Sequence, residues 1–221
     1  MDKIKFNLDQ IISRANAVCI ENGLDINSYE IVPATKTRSI ELIKALIDDG
    51  RIKTCGENRV QEFVSKYTDA IQWDMIGRLQ TNKVKYIIDK VRLIQSVDRL
   101  ELLQEINKRA FAIGKVQKIL LEVNTGAEEN KGGVLFKDVK NLASVCVDYP
   151  NIKFLGVMAV APYDINRNQL KYLFLKAHET FEILKNEYPS ITYLSMGMSE
   201  DFELAIECGA NMIRPGRIVF E

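Results

Sequence analysis

Tyr29-Glu30-Ile31-Val32-Pro33-Ala34 leads through the polar Thr35-Lys36-Thr37-Arg38 to Ser39, after which Ile40, Ile43, Leu46 and Ile47 share one side of a helical period. That is one βα unit, and the alternation repeats without a break. Strand-like runs recur at Lys53-Thr54-Cys55, Gln72-Trp73-Asp74-Met75-Ile76, Arg92-Leu93-Ile94-Gln95-Ser96 and Lys118-Ile119-Leu120-Leu121-Glu122-Val123. They continue at Lys153-Phe154-Leu155-Gly156-Val157-Met158, Ile191-Thr192-Tyr193-Leu194-Ser195 and Asn211-Met212-Ile213-Arg214. Helix-period segments separate them at 57–67, 80–89, 98–112, 135–148, 168–187 and 199–208. Strands alternating with helices predict a parallel sheet of the α/β class. Eight such units in 221 residues suit a single closed (β/α)8 TIM-type barrel better than an open doubly wound sheet. No GxGxxG follows the first strand, which counts against the dinucleotide-binding version of that sheet.

Ahead of the first unit, Leu8, Ile11, Ile12, Ala15, Val18 and Cys19 recur at three- and four-residue spacing, so an extra N-terminal helix is expected over 7–21, ended by Asn22-Gly23. The whole of 1–221 is read as one domain, with no repeat beyond the βα alternation and no linker.

Composition removes several functions. Thirty Lys and Arg balance thirty Asp and Glu, which argues against a broad electrostatic grip on nucleic acid or on an anionic membrane. An anionic ligand must therefore be held locally. His178 is the only histidine, so multi-histidine metal sites are excluded, and its helix-like surroundings make it a helix-surface or packing histidine. Cys19, Cys55, Cys146 and Cys208 lie far apart with no CxxC, as in reduced thiols of a cytoplasmic protein. No signal-like or membrane-spanning apolar run is present, and a cytoplasmic monomer is expected.

If the chain closes into a barrel, function collects at the C-terminal ends of the strands. Lys36 stands just past the first strand, where it is either a solvated loop lysine or, if it points into the mouth, a nucleophile toward an aldehyde. Asn58 follows the second strand in Cys55-Gly56-Glu57-Asn58-Arg59, and it either reaches inward or caps the next helix. The glycine-rich Glu128-Glu129-Asn130-Lys131-Gly132-Gly133 after the fifth strand is a lid or a plain connection. After the seventh and eighth strands come Ser195-Met196-Gly197-Met198-Ser199-Glu200-Asp201 and Arg214-Pro215-Gly216-Arg217. These residues are either an N-cap serine with surface arginines or a phosphate clamp. Together with Lys36, a clamp would suit a ligand carrying both an aldehyde and a phosphate, as pyridoxal 5'-phosphate (PLP) does.

Over essentially its full length the chain resembles the pyridoxal phosphate homeostasis proteins. The resemblance is carried by Thr35-Lys36-Thr37, Gly56-Glu57-Asn58-Arg59-Val60-Gln61-Glu62, Ile76-Gly77 with Leu79-Gln80 and Asn82-Lys83, and Ser96-Val97-Asp98. Glu122-Val123-Asn124, Lys131 with Gly133-Val134, Gly156-Val157-Met158 and Leu194-Ser195-Met196-Gly197-Met198-Ser199 with Asp201 extend it. It implies a fold-type III barrel similar to the N-terminal domain of alanine racemase, with PLP held as a Schiff base on Lys36. Asn58 would lie beside the ring and Arg214 near the pyridine nitrogen, with the phosphate on Ser199, the backbone of Met198 and Gly216, and Arg217.

An arginine at that nitrogen disfavours its protonation and weakens the electron sink. The implied function is therefore a non-catalytic carrier in intracellular PLP (vitamin B6) and amino-acid homeostasis, with PLP-dependent apo-enzymes as recipients. The alternatives are a PLP-dependent amino-acid racemase, for which Tyr163, Tyr172 or Tyr193 would have to replace a missing second base, and a PLP-free lysine aldolase. Two departures stand out: Asp74 where the family commonly has histidine, and Pro215 with Arg217 where a branched residue and a threonine are usual.

Overall fold

The pairing of the strands decides whether the sheet is open or closed. In the computed structural model, which describes residues 2–126, 132–162 and 164–221, α1 (Asp2–Glu21) leads into β1 (Glu30–Ile31), α2 (Ile40–Ile47), β2 (Thr54–Glu57) and α3 (Val60–Lys66). Next come β3 (Gln72–Met75), a 3-10 helix (Thr81–Tyr86), β4 (Leu93–Val97), α4 (Leu100–Ala112) and β5 (Gln117–Asn124). A 3-10 turn (Phe136–Asp138), α5 (Val139–Cys146), β6 (Ile152–Val160) and α6 (Arg167–Glu187) follow. The chain ends in β7 (Tyr193–Ser195), α7 (Phe202–Glu207), β8 (Met212–Ile213) and α8 (Arg217–Phe220). Glu128, Glu129, Asn130, Lys131 and Tyr163 lie outside the described residues.

Every strand pair is parallel, in the order β1-β8-β7-β6-β5-β4-β3-β2. The two ends of that order meet through a bridge between Ala34 and Gly56, so the sheet closes into the expected (β/α)8 barrel. Closure rests on Gly56 N donating to Pro33 O at 2.8 Å and Thr35 N donating to Gly56 O at 2.9 Å. Pro33 has no N–H to offer β2, which keeps this seam thin and β1 short.

Side chains on the outer face of the strands pack beneath the helices in the main core. Inside the barrel Val32, Leu93, Leu120, Leu155, Met158 and Met212 form a second, smaller cluster. It is small because Asp74, Gln95, Ser195 and Arg214 are buried beside it and occupy inward positions of the same strands. The N-terminal helix is real and longer than its periodic stretch: α1 buries Leu8, Ile11, Ala15 and Cys19 and lies against α7 and α8.

Two helical segments differ from their sequence pattern. Over 80–89 only a 3-10 helix forms. The segment after β7 becomes helical at Phe202, not at Ser199, because Met198 O first accepts from both Asp201 N (3.3 Å) and Phe202 N (3.0 Å) in a tight turn. All four cysteines are buried and free. His178 packs its ring against Gly209 and Phe181 on the side of α6, as a packing histidine does.

Candidate functional site

The mouth of the barrel is built from the turns after β1, β2, β7 and β8. Thr35 is buried, and its hydroxyl lies within hydrogen-bond distance (3.1 Å) of both Gly56 O and the Glu57 carboxylate. Lys66 binds Thr35 O, Glu57 and Glu62 at 3.1, 2.9 and 3.2 Å. Glu62 in turn accepts from Thr37 N at 2.8 Å, holding Thr37 at φ 62 in the left-handed region. Lys36 is thus carried on a turn fixed at the residue before it and the residue after it. Its own side chain is exposed, with no hydrogen bond or ion pair among the described residues. Burial pushes the Glu57 carboxyl upward, and the Lys66 ammonium opposes the rise.

Asn58 does not cap α3, whose first turn has no side-chain cap. Its Oδ1 is buried without a hydrogen-bond partner among the described residues, an acceptor left unsatisfied at the rim. Gly77, after β3, sits directly against the Asn58 backbone: a Cβ there would come 2.2 Å from Asn58 O.

The segments after β7 and β8 meet. Gly216 N donates to Ser199 Oγ at 2.9 Å, and Ile218 N lies 3.4 Å from the same oxygen. Ser199 therefore caps the short α8 rather than the helix that follows it in sequence. Met198 N is engaged by the Asp201 carboxylate at 2.5 Å, and the Arg217 guanidinium is turned toward Glu200. Ala34 N donates to Pro215 O at 2.9 Å, and a Cβ on Gly216 would lie 3.4 Å from Ala34 Cβ. The Lys36 turn and the Arg214-Pro215-Gly216 segment are thereby joined as one rim.

Arg214 points into the barrel, where Nη1 donates to Ser195 Oγ at 2.5 Å and Nη2 to Ala159 O at 3.0 Å. Burial pushes its guanidinium down to about 10, against the pull of Glu122 and Asp201. Across from it Glu122 on β5 has a buried Oε2 with no hydrogen-bond partner among the described residues. Burial and the neighbouring Asp98 raise the Glu122 carboxyl to about 7, with Arg214 and Arg78 opposing.

Sequence reasoning missed Glu122 as a site residue, together with the buried Gln95 and Ser195 beneath Arg214. The available signal was strand parity: Leu120 and Glu122 share a face on β5, as do Leu93 and Gln95 on β4. Among the described residues no cluster of histidine, cysteine or carboxylates could hold a metal ion, and no helix is long and apolar enough to cross a membrane.

Comparison with known proteins agrees with this geometry. The family model for the alanine racemase N-terminal domain matches residues 7–221. A pyridoxal phosphate homeostasis protein of Aquifex aeolicus is 44% identical over 218 residues, covering 96% of this chain and 95% of that one. A solved protein of Bifidobacterium adolescentis superposes with a TM-score of 0.93 at 29% identity, over 99% of this chain and 95% of the other. PipY of Synechococcus elongatus, solved with PLP bound, gives 0.79 at 27% identity, over 96% and 100% of the two chains. With these motifs in order on an eight-stranded barrel, and with such relatives matching it end to end, the chain belongs to the pyridoxal phosphate homeostasis proteins of the alanine racemase N-terminal domain family.

Proposed function

We propose that this protein binds PLP at the barrel mouth and carries it, covalently held by the Lys36 amine, without catalysing a reaction of its own. Its role is intracellular PLP and amino-acid homeostasis, as a cytoplasmic monomer that hands PLP to PLP-dependent apo-enzymes. The observation that carries this reading is the joined rim: the Ala34–Pro215 hydrogen bond sets the Lys36 turn beside the segment that bears Arg214 and Gly216. Two features of the site fit the cofactor. Among the described residues, Asn58 Oδ1 is a buried acceptor with no partner, and Arg214 is a buried cation with no carboxylate in direct contact. The PLP-bound relative adds support at the level of the family.

When bound, PLP supplies an aldehyde that condenses with an amine and releases water. The chain's own residues do the rest. The turn pinned by Thr35 and Glu62 presents Lys36, and Asn58 would flank the ring. Arg214 would set a guanidinium toward the ring nitrogen, and Ser199, Gly216, Met198 and Arg217 would hold the phosphate. Pro215 offers no amide, Met198 N must first leave Asp201, and Arg217 must swing from Glu200. The Gly216 amide is engaged as well, on Ser199 Oγ, which leaves the Ser199 hydroxyl proton as the donor among these groups that no described residue takes up.

Borohydride reduction of the PLP-loaded protein followed by peptide mapping tests the assignment. A pyridoxyl group on Lys36, lost in Lys36→Ala, is expected, and a modified residue elsewhere overturns it. Incubation with single-enantiomer amino acids in heavy water tests the absence of catalysis. Deuterium at the α-carbon at enzyme-like turnover would establish the racemase instead.

A further inference from the structure

A chain of buried polar side chains crosses the barrel interior, where such barrels ordinarily place aliphatic layers. Arg92 donates to Asp74 through Nε at 2.8 Å and Nη2 at 2.7 Å, and through Nη1 it pairs with Glu30 at 2.8 Å. Gln95 Nε2 donates to Asp74 Oδ2 at 2.8 Å. Ser195 Oγ donates to Gln95 Oε1 at 2.7 Å, and Arg214 Nη1 donates to Ser195 Oγ at 2.5 Å. Asp74, Gln95 and Ser195 are 0% exposed, so no bulk water competes for these bonds.

The direction of every bond is set by Asp74. Both of its oxygens accept from N–H groups, which obliges Gln95 to turn its amide nitrogen toward β3 and its oxygen toward β7. Ser195 has one proton and must give it to that oxygen. Its lone pairs are then left for Arg214. Reversing the amide would set the Gln95 NH2 against Ser195, and the hydroxyl proton would be free to turn on the guanidinium.

We propose that Asp74 is a positioning residue for Arg214, fixing through Gln95 and Ser195 the guanidinium that faces the cofactor at the barrel mouth. Its consequence for the cofactor rests on the PLP reading above, whereas the relay itself is made of this chain's residues alone and is tested without PLP. The Asp74–Arg92–Glu30 cluster lies toward the opposite end of the strands from Arg214, where Glu30 and Arg92 line a cavity of about 560 Å³. The mouth is therefore held in register from the far end of the barrel.

The test uses Asp74→Asn, Gln95→Met, Ser195→Ala and the Asp74→Asn/Ser195→Ala double variant. In ligand-free, ¹⁵N-labelled protein, exchange of the Arg214 guanidinium protons is followed by NMR. PLP dissociation is measured separately by equilibrium dialysis. Each single variant is expected to speed Arg214 exchange about fivefold, the value of one buried hydrogen bond. The same variants weaken PLP retention, and the double variant should do no more than Ser195→Ala alone, since both cut one chain.

Exchange at the wild-type rate in Asp74→Asn, with only the thermal midpoint lowered, would overturn the proposal. Effects that simply add in the double variant would do so too. Gln95→Met keeps the volume and backbone while removing both polar ends. If Asp74→Asn does not fold, an unchanged Arg214 in Gln95→Met overturns the relay and a faster one upholds it. Failure of the wild type to bind PLP would overturn the function proposed above, while the exchange data still decide the relay.

Discussion

Thr37 carries the strain of the Lys36 turn. A β-branched residue at φ 62 is held there by the Glu62 carboxylate on its amide, next to the residue proposed to do the chemistry. Replacement by glycine removes the Cβ clash but frees the unfolded chain, so Thr37→Gly should raise stability by about 1 kcal/mol in urea titration. The gain should come with weaker PLP retention, because the turn loses its single geometry. Glu122 makes a pH prediction with a defined sign. Its carboxyl titrates at about 7 in the folded protein against 4.5 for an ordinary glutamate, so between those values the native state binds the extra proton. Stability must fall as pH rises across that window, by up to about 3 kcal/mol from the shift, and it is fully present only below pH 4.5. Glu122→Gln, which holds a neutral group there at all pH values, should flatten that fall. Denaturant midpoints at pH 5 and pH 8 check it, and a slope equal to that of the wild type would show the carboxylate to be solvated.

At the scale of elements, the loop after β3 is packed directly on the loop after β2. Gly77→Ala would drive a Cβ to within 2.2 Å of Asn58 O, a backbone atom that cannot swing aside. The substitution should cost about 1–3 kcal/mol and displace Asn58, so PLP retention falls with it. Gly23→Ala is the control: φ is +68 there but nothing lies within 4 Å, so only the backbone penalty is expected, without effect on PLP. The strands and their order along the chain were legible because short apolar runs such as Ile119 to Leu121 recur between helix-period segments. The barrel was legible from the count of βα units. Closure was not, since it depends on the Ala34–Gly56 bridge between residues 22 positions apart. The delayed start of α7 was hidden for a different reason: Ser199 reads as an N-cap in sequence but serves α8 in space. Lys36, Asn58 and Gly216 stand in the turns after strands that the sequence pattern marks, whereas Arg214, grouped from its place with a phosphate clamp, turns inward to Ser195 and Ala159. Glu122 and Gln95 were passed over because a polar residue inside a barrel strand gains meaning only from what lies across the barrel.

For the whole molecule, the question is which wall of the mouth retains the ligand. Arg214 is 4% exposed and donates only to neutral oxygens, those of Ser195 and Ala159, with its counter-charges on Glu122 and Asp201 at a distance. A buried cation so placed is attracted to the negative charge of PLP as a whole, even while its donors would meet the ring nitrogen and not the phosphate, because the interior screens the attraction weakly. Lys36 by contrast is exposed, and the contribution proposed for it is a reversible covalent bond that water competes to break. Arg214→Ala should therefore weaken PLP retention more than Lys36→Ala, which keeps the anion-binding wall and still binds PLP non-covalently. Equilibrium dialysis of both variants, with circular dichroism to confirm that Arg214→Ala remains folded, measures the order. Removing Arg214 also strands the Ser195 hydroxyl and the Ala159 carbonyl, so Arg214→Lys supplies the companion case: charge is kept and the two-donor fork is lost. Retention in Arg214→Lys should fall between the wild type and Arg214→Ala. Equal losses in Lys36→Ala and Arg214→Ala would mean that the covalent bond, and not the charge of the opposite wall, governs how long the ligand stays.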